Sequence, residues 1–204
     1  MNNARFSIGK MVRLALLAAI IIVMSFTPLG YLRIGAIEIT FLMIPVAIAA
    51  IIIGPLGGAI AGGIFGISSF IQCFGTSLFG ATLLSINPFF TFILCVIPRI
   101  LAGWIPGLIY MAIQKFGKDR IIPAMVASLA APLLNTVLFV GGLFLMFGST
   151  EFIRGFGDTV WAIIVLLVGV NGLVEAGVGF VVGAAVSRVL VQVFPDKKPT
   201  FENS

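Results

Sequence analysis

Arg99 is the residue in this sequence with the most chemistry to offer, because it stands where a charge is costly. It lies about ten residues into an apolar run, 89–113, which is roughly 15 Å at helical rise. A charge at the centre of a bilayer costs about 3 kcal/mol on insertion scales, and such residues face a bundle interior or a cavity. Pro98 precedes it and frees a backbone carbonyl nearby. The guanidinium is a planar fork of donors suited to a carboxylate or a phosphate. Glu175 is the acid within an apolar run, and Asn171 stands four residues before it. That spacing puts both on one helix face. Asn135 follows Pro132 in another run, where an amide needs partners. Arg99, Asn135, Asn171 and Glu175 are therefore expected to line one polar cavity that takes an anionic ligand. The alternative for Arg99 is a buried pair with Glu175. For Asn135 it is a hydrogen bond between helices.

Tyr31, Arg33, Gln72 and Asn87 lie in or beside connecting segments and are candidates for the rim of that cavity. Arg33 is a rival partner for a carboxylate, since a charge on a loop is cheaper to keep. Thr76, Glu151, Arg154 and Asp158 read as solvated loop residues. Tyr31 and Trp161 also suit the membrane interface. Histidine is absent, and Cys73 and Cys95 form no metal-binding spacing. No metal site is expected. A membrane enzyme would need a metal-bound His, paired acids or a Ser/Lys dyad, so no catalytic residues are assigned. The chain has no Gly-x-x-x-x-Gly-Lys-Ser/Thr loop, so it holds no ATP of its own.

The elements that carry these residues follow from composition. Of 204 residues, 60% are hydrophobic and 9% charged, with a mean hydropathy of +1.23. A soluble domain carries about 25% charged residues, so a soluble or disordered chain is excluded. The net charge of +5 does not signal nucleic acid, because the basic residues sit in short clusters between apolar runs. Those runs are 11–27, 41–53, 59–74, 89–113, 121–147 and 170–193. A span needs about 20 apolar residues, and the pattern predicts an all-α membrane protein of six transmembrane helices. The run at 41–53 ends in Gly54-Pro55-Leu56-Gly57-Gly58, a turn signal. Segment 75–87 is rich in Gly, Ser and Thr around an apolar centre and is expected to be re-entrant or interfacial. A short interfacial or tilted helix is expected before Gly169. Residues 1–194 form one membrane domain, and 195–204 a polar tail.

Arg5, Lys10, Arg13, Lys115, Lys118, Arg120, Arg188, Lys197 and Lys198 fall on one side of such a bundle, and Arg33 and Arg154 on the other. Both termini are therefore expected in the cytoplasm. The first run follows three basic residues, as a signal peptide would. It is expected to be a retained helix, because the later runs are as strong. A passive channel or scaffold is the competing class. Channels line pores with rings of polar residues, whereas the polar residues here are scattered and suit one enclosed pocket.

Ala15 and Ala19 give the first run a small-xxx-small face, which allows another helix to approach closely. Gly62 and Gly66 do the same in the third. With Ala15-Leu16-Leu17-Ala18-Ala19, and with the stretches "GAIEITFLMIPVAIAAIIIGPLGGAIAGGIFGISSF" and "INPFFTFILCVIPRILAGW", the chain resembles the substrate-binding (S) components of energy-coupling-factor transporters. Within that family it looks most like the pantothenate group; riboflavin, pyridoxine-type vitamins and folate are the alternatives. The resemblance implies a bacterial cytoplasmic membrane protein that captures a vitamin tightly near the outer face. It implies that Ala15 and Ala19 pack against a membrane scaffold protein, and that two cytoplasmic ATPases supply the energy.

Overall fold

A computed structural model describes residues 7–34, 37–115 and 120–154, together with the isolated helical positions 177, 181 and 185. Apart from those three positions, the predicted run 170–193, with Asn171 and Glu175, lies outside the described residues, as does the segment 155–169. The element order is α1 (Ile8–Ser25), β1 (Tyr31–Ile34), β2 (Ile37–Thr40), α2 (Met43–Ile52), α3 (Pro55–Gln72), α4 (Leu78–Ile86), α5 (Pro88–Gln114), α6 (Ile121–Phe147) and α7 (Glu151–Arg154). Among the described residues, α1, α3, α5 and α6 are long and apolar enough to cross a membrane. Helix α2, at 10 residues, extends about 15 Å and is shorter than a full span.

Among the described residues the fold is helical apart from one hairpin, which stands where a plain loop was expected. β1 and β2 pair antiparallel, with Tyr31 opposite Thr40 and Arg33 opposite Glu38. The alternating, Ile-rich pattern on both sides of Gly35-Ala36 suits a short hairpin. The turn expected at 54–58 is also much tighter. Ile53 and Gly54 turn the chain, with Gly54 at φ 109, a conformation glycine adopts without steric penalty. Pro55 then opens α3, since a first-turn residue needs no N–H and the ring presets its φ. Helix α4 fills the predicted extra segment. Its nine residues are too few to cross a bilayer, and the Ser77 Oγ accepts from the Gly80 N–H at 3.2 Å to cap it.

Packing follows helical periodicity. In α5 the buried side is Thr91, Leu94, Cys95, Pro98, Arg99, Ala102, Gly103 and Pro106. In α6 it includes Ala124, Ala127, Ser128, Ala131, Asn135, Thr136, Val140 and Leu143. These stripes repeat every three to four residues, as one buried helix face must. Helix α3 closes on α5 through glycines. A Cβ at Gly58 would run into the Gly103 carbonyl, and one at Gly62 into the Arg99 carbonyl. At Gly66 it would lie 2.8 Å from the Cys95 carbonyl oxygen. Small residues thus bring the two backbones into direct contact. Around this seam Ile21, Leu42, Val46, Phe65 and Ala102 build the largest apolar core.

Helix α1 is held by one face only. Leu17, Ile21 and Ser25 are buried, whereas Ala15 and Ala19 are exposed beside Met11, Val12, Leu16 and Val23. Ala15 is about 200° around the helix from Leu17, so the alanine face points away from the bundle.

Candidate ligand-binding site

Pro98 has no N–H, so the Leu94 carbonyl loses its donor four residues on. The Arg99 Nη1 replaces it, donating to the Leu94 carbonyl at 2.8 Å. This contact turns the guanidinium back along α5. Arg99 is buried at 8% exposure, and Gly62 presses α3 against its carbonyl. The guanidinium carbon lies 4.4 Å from the Phe139 ring centroid and 5.6 Å from that of Phe65. Both lie within the roughly 6 Å range of cation–π attraction, worth about 2 kcal/mol in a desolvated setting. Two aromatic faces therefore help to offset the cost of holding this charge inside the bundle.

Phe139 also locates Asn135. The two are one turn apart on α6, so their side chains share a face. Asn135 is buried. Its Oδ1 and the Arg99 Nε have no hydrogen-bond partner among the described residues. A buried polar atom without a partner costs about 1–3 kcal/mol. The α5–α6 interface therefore holds a cationic donor and an amide acceptor that a ligand with an anionic group and a hydrogen-bond donor would satisfy.

The other expected site residues divide. Gln72 and Tyr31 come together: the Gln72 Nε2 donates to the Ser25 carbonyl at 3.0 Å and to the Tyr31 Oη at 3.2 Å. Gln72 is buried. It ties the end of α3 to the end of α1 and to the hairpin. Arg33 lies in β1. Asn87 caps α5: its Oδ1 accepts from the Phe90 N–H at 3.1 Å, and its carbonyl accepts from the Thr91 Oγ1 at 2.9 Å. Asn87→Ala is expected to cost about 1 kcal/mol of stability, as lost caps do. Asn87→Ser keeps a capping oxygen and should bind ligand like the wild type. A large affinity loss in folded Asn87→Ser would place the residue in the site instead. Sequence reasoning missed Phe65 and Phe139. The spacing of Phe139 from Asn135 was the available signal.

Residues 9–187 match the family profile described as the substrate-specific component of ECF transporters. The match covers most of the chain, and the protein belongs to this family. It is a helical membrane component of a transport system, not an enzyme. The family agrees with the resemblance carried by the Ala15–Ala19 motif and the stretches around it. The chain is 33% identical over 187 residues to the "Pantothenate transporter PanT" of Leuconostoc mesenteroides, covering 86% of this chain and 88% of that one. It is 30% identical over 167 residues to the "Pantothenic acid transporter PanT" of Lactococcus lactis subsp. cremoris, covering 75% and 78%. The solved structure of ThiT from Listeria monocytogenes shares the fold at a TM-score of 0.60 and 22% identity. That match covers 91% of this chain and 94% of the other.

Proposed function

We propose that this chain is the vitamin-capturing subunit of an ATP-driven importer in the bacterial cytoplasmic membrane, and that its vitamin is pantothenate. The observation that carries the reading is two buried polar atoms, Arg99 Nε and Asn135 Oδ1, that have no hydrogen-bond partner among the described residues. Pantothenate offers a carboxylate, an amide N–H and hydroxyls, so it supplies an anion for the guanidinium and donors for the amide oxygen. The names of the two relatives support the same vitamin. Asn171 and Glu175 complete the pocket from the sixth of six spans. Tyr31, Arg33 and Gln72 stand at its outer end, with Asn87 there as the cap of α5, and both termini are cytoplasmic.

Capture is tight and occurs near the outer face. Delivery needs partners, because the sequence carries no phosphate-binding loop. The exposed alanine face of α1 (Ala15 and Ala19) docks on a membrane scaffold protein, and two cytoplasmic ATPases hydrolyse the ATP. A titration of the purified chain with a panel of vitamins tests the substrate. Saturable binding of pantothenate alone is the expected result; saturable riboflavin binding without pantothenate binding refutes it. Uptake into liposomes should require both ATP and the coupling proteins. Flux through the chain alone would make it a passive channel.

A further inference from the structure

Cys73 and Cys95 are far apart in the sequence and form no motif, yet the fold places them together. Cys73 ends α3, and Cys95 lies on α5 one turn before Arg99. Both are buried thiols, neither of them in a disulfide, and their sulfurs approach to 3.8 Å. Cys73 Sγ also contacts the Ser69 carbonyl at 3.4 Å. The approach is held from two sides. Gly66 lets α3 press on the backbone of Cys95 and Val96, where a Cβ would lie 2.8 Å from the Cys95 carbonyl oxygen. Gly80 of α4 sits over Cys73, and a Cβ there would lie 2.6 Å from its sulfur. A disulfide needs the sulfurs at about 2.05 Å. The two sulfurs already touch, so bond formation needs only their further approach across the seam.

We propose that Cys73 and Cys95 form a reversible oxidation site that ties α3 to α5 when a small peroxide reaches it. One thiol attacks the peroxide O–O bond, becoming a sulfenic acid as water leaves. The second thiol attacks the sulfenic sulfur, the S–S bond forms, and a second water departs. Two electrons pass from the sulfurs to the peroxide, and an external dithiol reverses the change. The closed bond encloses α4 in a covalent loop and locks the seam beside Arg99.

The test uses the purified full-length chain in detergent, treated with hydrogen peroxide, then denatured and labelled with a mass-tagged maleimide. Loss of both labelled thiols is expected, with an intact mass lower by two hydrogens and a cross-linked peptide joining Cys73 to Cys95. Both thiols should return after dithiothreitol. Cys73→Ser and Cys95→Ser should each give no internal cross-link. Wild-type thiols that stay fully labelled, at a peroxide dose that oxidises free cysteine, would overturn the proposal. So would oxygenated cysteines without the cross-link.

Discussion

Arg99→Ala is expected to lower pantothenate affinity by at least about 30-fold. Truncating one member of a buried, hydrogen-bonded charge pair costs about 2–5 kcal/mol, and each 1.4 kcal/mol is about tenfold in affinity. The guanidinium of Arg99 sits between Phe139 and Phe65, with one nitrogen already given to the Leu94 carbonyl. That leaves its Nε, unpartnered among the described residues, to meet a carboxylate. The same substitution also strips the Leu94 carbonyl of its donor, which costs about 1–3 kcal/mol of stability. Folding must therefore be measured beside binding, by a monodisperse size-exclusion profile and helical circular dichroism. Arg99→Lys keeps the charge without the fork and should fall between wild type and Arg99→Ala. A folded Arg99→Ala that binds pantothenate like the wild type would move the carboxylate site elsewhere, with Arg33 the first place to look.

Gly62→Ala should be one of the most damaging single-methyl changes on the α3–α5 seam, and the one that acts on the backbone of Arg99. The added carbon would collide with the Arg99 carbonyl and lie 3.3 Å from the Ile100 Cα. Both are backbone, so no side chain can swing aside and the helices must separate. Overpacking of this kind costs about 1–3 kcal/mol. Because the displaced backbone is that of Arg99, binding should weaken as well, by about tenfold if 1.4 kcal/mol of it reaches the site. Gly63 supplies the control. Among the described residues a Cβ there would meet only the Ile100 side chain, at 3.6 and 3.9 Å, which is ordinary contact. Gly63→Ala should keep wild-type melting behaviour and affinity. Equal thermal stability and equal affinity of Gly62→Ala and Gly63→Ala would refute the role given to the seam.

The sequence by itself determined the membrane class and most of the helices, because bilayer thickness imposes a length on each apolar run that needs no knowledge of its neighbours. It also located Arg99 and the carbonyl freed by Pro98, since a proline acts on the residue four before it in its own helix. The tertiary structure decided which side chains surround that charge. Phe65 and Phe139 come from α3 and α6, Gln72 reaches Ser25 across 47 positions, and Cys73 meets Cys95 across 22. The hairpin at 31–40 is not legible in the sequence, because two four-residue strands carry a weak local signal and become strands only by pairing with each other. Contacts between distant segments depend on how helices pack, and a single chain's local periodicity holds no record of which faces will meet.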